Sequence, residues 1–160
     1  MKKLLCVIAF VLGLPVIIFA QDAVKSEQKV GNLTVEVIGF KNNQGQVKVV
    51  LADSEKNFVM KTKKAEEQSG QTKPVLALTA PITDKKATVV FENLPFGVYA
   101  VRLFHDENGN GKMDRNFLGI PKEAYAFSNN VRVKIGKPPK FEDAKFELKT
   151  ERMTITITIP

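Results

Sequence analysis

The chain is 160 residues long, with one cysteine, one histidine and no tryptophan. Cys6 lies inside an apolar N-terminal run, so the chain beyond residue 20 contains no thiol and no disulfide can staple it. An exported domain without disulfides draws its stability from a core, and about 140 residues suffice for one domain of ordinary size. With no tryptophan and no basic stripe interleaved with aromatics, the footprint of a nucleic-acid binder is missing. No internal repeat, no long helical periodicity and no strained nucleophile turn of the hydrolase type is present.

What stands at the N-terminus gives the address. Met1-Lys2-Lys3, an apolar stretch from Leu4 to Phe19 and the small residue Ala20 form the charged, hydrophobic and cleavage regions of a secretory signal. Residues 1–20 are therefore expected to be removed and the protein to be periplasmic or secreted, with no stable membrane span after cleavage. Gly13 and Pro15 interrupt a run already short for a span of roughly 20 residues. Cys6 is too far from Ala20 to be the lipidated cysteine of an anchored precursor. Losing Lys2 and Lys3 lowers the formal charge from +7 to +5, and the remaining cations are scattered, as solubility alone would require.

The rest of the chain reads as strands. Leu33, Val35 and Val37 alternate with polar residues, as do Val47, Val49 and Leu51, and Asn42-Asn43-Gln44-Gly45 between them suggests a hairpin. Further strand runs are expected at 75–78, 87–91, 98–104, 130–135 and 144–148. The final strand run is expected from Met153 to Ile159, where Met153, Ile155, Ile157 and Ile159 face one way and Thr154, Thr156 and Thr158 the other. The expectation is an all-β fold, a single antiparallel β-sandwich of prealbumin-like or Ig-like type with about seven or eight strands over residues 30–160. Residues 21–29 read as a polar spacer. Residues 53–74 read as a long surface loop with a helical turn, anchored by Phe58 and Met60.

One segment carries chemistry. Asp106, Asn108 and Asn110 place side-chain oxygens at alternate positions, Gly111 supplies a sharp turn, and Asp114 follows three residues later. These are the first nine positions of a calcium loop, whose seventh position, Lys112, would contribute its backbone carbonyl. The twelfth position, where a bidentate Glu would complete the set, is Phe117. Another donor is needed, and Glu123, reached by a turn through Gly119 and Pro121, is the candidate. The flanks make poor helices, so the loop is a weak structural calcium site and no helix-flanked switch. A plain turn built on Asn108-Gly109 and Asn110-Gly111 is the competing reading.

His105 invites a hydrolase reading with Asp106, Glu123 and Ser128, but neighbouring strand residues point to opposite faces, and a triad needs base and nucleophile together. A histidine that orders the loop is the simpler account, and the chain is expected not to be an enzyme. Ser128 and its asparagines fit turn chemistry better than a ligand site.

The turn Phe91-Glu92-Asn93-Leu94-Pro95-Phe96-Gly97-Val98-Tyr99 is similar to one recurrent in prealbumin-like sandwiches. Together with the stretch Gly97 to Asp114, then Gly119 to Glu123, Phe127 to Asn130 and Pro138 to Phe141, it resembles the DUF2141 family of exported bacterial proteins. The resemblance spans the whole mature domain and implies an exported sandwich of uncharacterised activity. The functional expectation is a non-catalytic module that binds a protein, glycan or envelope component, with calcium stiffening the loop that presents the contact. Partner recruitment by pairing with the C-terminal strand is a further alternative if that strand lies at a sheet edge.

Overall fold

The structure is a computed structural model that describes residues 28–58, 76–133 and 139–160. The expected signal segment, most of the polar spacer and Met60 lie outside the described residues. In chain order the elements are β1 (Val30–Ile38), β2 (Gln46–Ala52), α1 (Glu55–Phe58), β3 (Leu76–Pro81), β4 (Lys86–Pro95) and β5 (Gly97–Asp106). They are followed by β6 (Tyr125–Phe127), a 3-10 turn (Ser128–Asn130), α2 (Phe141–Ala144), β7 (Phe146–Leu148) and β8 (Arg152–Thr158).

The strands form two sheets. One has the order β4-β1-β8; the other runs β3-β2-β5-β6, with β7 also paired to β5. Period-two alternation explains how they meet: Leu33, Val35 and Val37 of β1 and Val47, Val49 and Leu51 of β2 are fully buried in one core with Phe91, Val101, Leu148 and Ile157. Each such side chain contributes about 1.5–3 kcal/mol by leaving water.

The expected β1–β2 hairpin is overturned. β1 pairs with β4 and β8, whereas β2 pairs with β3 and β5. Between them the chain crosses from one sheet to the other. Gly39 takes a φ of +92° against the Ile159 carbonyl, and Phe40 turns into the core. Alternation identifies a strand without naming its neighbour, and here the Asn42–Gly45 turn joins different layers.

Three further expectations are corrected. The two-sheet β fold is not wholly antiparallel, because β8 runs parallel to β1 in register from Asn32↔Arg152 to Ile38↔Thr158. The strand expected at 130–135 is absent through 133; Asn129 and Asn130 adopt positive φ of 60° and 50°, and Asn130 Oδ1 accepts the Thr158 N–H. The strand expected at 144–148 begins only at Phe146, after the short helix α2.

The second sheet is covered on its outer face as well. Ala52, Phe58, Ala100, Phe127, Phe141 and Ala144 form a smaller cluster there, built from α1, α2, the end of β6 and the outward residues of β2 and β5. Phe58 is the anchor expected of the polar stretch, with its ring tilted on Phe127 and edge-on to Phe141. At the start of β5, the Tyr99 hydroxyl donates to the Pro95 carbonyl at 2.8 Å and closes the Leu94–Tyr99 turn. Strand β5 is therefore packed on both faces, and it delivers His105 and Asp106 to the site.

Candidate functional site

At the end of β5, odd residues face the core between the sheets and even residues face outward. His105 and Asp106 thus point to opposite faces, yet both are buried, at 2% and 0% exposure. His105 sits edge-on to Phe40, with Nε2 2.6 Å from the Gln44 carbonyl and Nδ1 3.5 Å from Glu107 Oε1. The ring thus ties the end of β5 to the 42–45 turn through Nε2, while Nδ1 faces the Glu107 carboxylate.

Asp106 opens the loop on the other face. Its Oδ2 accepts from Gly111 N–H at 2.8 Å and from Gln46 Nε2 at 2.9 Å. Its Oδ1 is buried and makes no hydrogen bond among the described residues. A buried carboxylate oxygen without a partner is costly, on the order of 1–3 kcal/mol or more. The loop then winds around this carboxylate. Asn108 Oδ1 accepts the Asn110 N–H and Asn110 Oδ1 the Lys112 N–H, so each side chain caps the turn two residues on. Asp114 closes the loop by accepting the Asn108 and Asn110 amides on its two oxygens, at 2.8 and 3.2 Å.

Glu123 does reach the loop. One oxygen accepts the Glu107 N–H at 3.2 Å and the other the Asp114 N–H at 2.9 Å, so it fastens the first and last parts of the loop together. Among the described residues no group of three or more His, Cys, Asp and Glu side chains is gathered so as to hold a metal ion. A cation here would rely on amide and carbonyl oxygens beside the two aspartates, which suits calcium better than a soft metal.

Two contributors come from β2, about sixty residues upstream. Gln46 meets Asp106, and Lys48 Nζ donates to the Gly111 carbonyl at 2.7 Å. Their sequence signal is only that they occupy the polar face opposite Val47 and Val49. The Lys48 ammonium lowers the loop's attraction for a second cation.

Ser128 lies apart from this loop. Its hydroxyl is fully buried, accepts the Val101 N–H at 2.9 Å and donates toward the Ala144 carbonyl. Val101 is four strand residues from His105, roughly 13 Å at a strand's rise, so the histidine and the serine are not brought together.

Beyond the loop, residues 114–122 fold back as a small hairpin. Lys122 N–H donates to the Asp114 carbonyl at 2.8 Å, Asn116 N–H to the Ile120 carbonyl at 2.9 Å, and Arg115 bridges to Pro121. At its tip Phe117 is 95% exposed. The residue at the twelfth position of the expected calcium loop is thus held out in solvent.

No described helix is long and apolar enough to cross a membrane. No curated protein and no solved structure matches the chain. Residues 35–156 match the family described as uncharacterized protein conserved in bacteria, DUF2141, a span from β1 through the loop and its hairpin into β8, and the chain belongs to that family.

Proposed function

We propose that this protein is an exported, non-catalytic binding module in which the 106–114 loop takes up one structural calcium ion. The observation that carries the reading is the fully buried Asp106 carboxylate, with one oxygen held by Gly111 and Gln46 and the other unpartnered. A divalent cation supplies the missing counter-charge. Asp106, Asn108, Asn110, the Lys112 carbonyl and Asp114 stand at the ligand offsets, each asparagine oxygen keeping a second lone pair beside its turn hydrogen bond. Glu123 acts as the brace that holds Glu107 and Asp114 in place. Calcium affinity is weak, on the order of 10⁻⁴ to 10⁻³ M, because Lys48 and Lys112 offset part of the acidic charge.

The burial of His105, with Nε2 held on the Gln44 carbonyl, and its separation from Ser128 support a non-catalytic role. The Tyr99–Pro95 hydrogen bond at the Leu94–Tyr99 turn supports a prealbumin-like or Ig-like sandwich. Export rests on the Lys2-Lys3, Leu4–Phe19 and Ala20 pattern. Calorimetric titration with calcium tests the loop: heat of binding in the wild-type chain, absent in Asp106→Asn, is expected. No heat and no change in melting temperature at millimolar calcium would sink it.

A further inference from the structure

The hairpin tip is the most apolar exposed feature near the loop. Phe117, Leu118 and Ile120 are 95%, 68% and 54% exposed within four consecutive positions. Water-facing side chains of this size need an explanation when they are contiguous. They are also held firmly. Asn116 Oδ1 accepts the N–H groups of Leu118 and Ile120 at 2.9 and 3.0 Å, Gly119 N–H donates to the Asn116 carbonyl, and Arg115 donates to the Gly119 carbonyl. The N–H groups of Leu118, Gly119 and Ile120 are therefore satisfied within the hairpin. Internal partners of this kind lower the cost of moving a backbone N–H out of water.

Charge points the same way. Residues 115–122 contain Arg115 and Lys122 and no acid, and the exposed Lys112 precedes them. Of the two acids at the base, Glu123 is buried and accepts two backbone N–H groups, and the half-buried Asp114 has both oxygens taken by the Asn108 and Asn110 amides. The hairpin thus presents an apolar point with a cationic collar, the pattern of an interfacial anchor on an anionic lipid surface.

We infer that the 115–120 tip inserts Phe117, Leu118 and Ile120 into the headgroup region of an anionic membrane, with Lys112, Arg115 and Lys122 against the lipid phosphates. This rests on the binding-module reading, for which it names the partner surface, and it does not depend on calcium uptake. A single such tip gives reversible attachment, in the range of a marginal lipid anchor.

The test uses the chain lacking residues 1–20, as the exported protein is expected to exist, and vesicles of phosphatidylcholine with about 30% phosphatidylglycerol, against pure phosphatidylcholine. Each is run in chelator and in calcium. Co-sedimentation with the anionic vesicles in either medium is expected, weakened at least about tenfold in Phe117→Ser/Leu118→Ser/Ile120→Ser and reduced by salt. The chain has no tryptophan, so Phe117→Trp gives a single reporter whose emission shifts to the blue as the tip leaves water. Because the three side chains are exposed, the serine variant keeps the wild-type melting temperature. The proposal is overturned if the protein stays in the supernatant, if pure phosphatidylcholine binds it equally, or if the serine variant binds as wild type. It is overturned equally by a lipid-independent dimer that the serine variant loses, since the tip's occupant is then a second copy. Calcium heat without vesicle binding removes the lipid proposal alone; vesicle binding without calcium heat removes only the calcium reading.

Discussion

Asp106 Oδ2 accepts the backbone N–H of Gly111 at 2.8 Å, closing a turn over five residues at the end of β5 while Oδ1 is left buried and unpartnered. The loop is therefore organised around a carboxylate that is only half satisfied. The proposed calcium ion would complete it, and the first prediction measures that completion. With a Kd on the order of 10⁻³ M, about 10 mM calcium stabilises the fold by roughly 1.4 kcal/mol. That corresponds to a rise of about 3–6 °C in melting temperature. In Asp106→Asn the rise disappears, because an amide keeps the Gly111 contact and loses the charge. A calcium-dependent rise that survives in Asp106→Asn places the ion elsewhere.

Glu123 is predicted to act on the loop through the backbone. Glu123→Ala frees the Glu107 and Asp114 N–H groups in a site only 8% exposed and costs about 2–4 kcal/mol in urea unfolding. Glu123→Gln keeps one acceptor and costs roughly half as much. Hydrogen exchange at the Glu107 and Asp114 amides should quicken in both variants, and unchanged exchange would remove the brace.

Gly45 ties the 42–45 turn to the same loop. Its φ is +71°, and a Cβ there would meet the Asp106 carbonyl at 2.2 Å and the Glu107 Cα at 2.7 Å. Both contacts are backbone and cannot be relieved by a side-chain rotation. Gly45→Ala is expected to destabilise by more than the roughly 1–2 kcal/mol of a left-handed residue alone, and to weaken calcium uptake by displacing Asp106. A cost under about 1 kcal/mol in thermal unfolding would show that the turn moves freely away from the loop.

The loop was legible in the sequence because its geometry is local: the 106, 108, 110 and 114 offsets and the Gly111 turn lie within nine residues. Gln46 and Lys48 were not, since they reach the loop through the β2–β5 register, in which Gln46 pairs with Asp106. Strand identity was legible from alternation, but pairing was not, and so the β1–β2 hairpin and the antiparallel C-terminal strand both failed. Val131 and Val133 alternate like strand residues, yet the positive φ at Asn129 and Asn130 turns the chain aside before a ladder forms. Phe117 illustrates the reverse problem: an apolar residue in sequence suggests core, and only the hairpin places it in water.

Tyr99 gives the pH prediction. Burial, and to a smaller extent the Asp53 carboxylate, raise its pKa above the ordinary value near 10. A raised folded pKa means that the unfolded chain loses the proton first. The tyrosine's contribution to stability is complete below pH 10 and falls as pH rises through the folded value. Tyr99→Phe should cost about 1 kcal/mol at neutral pH through the lost Pro95 hydrogen bond. It should also flatten the decline above pH 10 in denaturant midpoints, and an alkaline limb identical to wild type would assign the decline to other groups.

The C-terminal strand bears on the partner question. Among the described residues β8 pairs only with β1 and so lies at the edge of its sheet, which is the position strand recruitment requires. Yet it is also part of the core: Ile157 is fully buried and Ile159 nearly so. Ile157→Ala is predicted to cost about 2–4 kcal/mol. Truncation after Lys149 removes both side chains together with the whole parallel ladder to β1, and should leave no cooperative unfolding transition. Loss of a partner on truncation would then report unfolding and say nothing of strand pairing. A truncated chain that still melts cooperatively would show β8 to be dispensable for the fold, and would make its free edge a surface available to a partner.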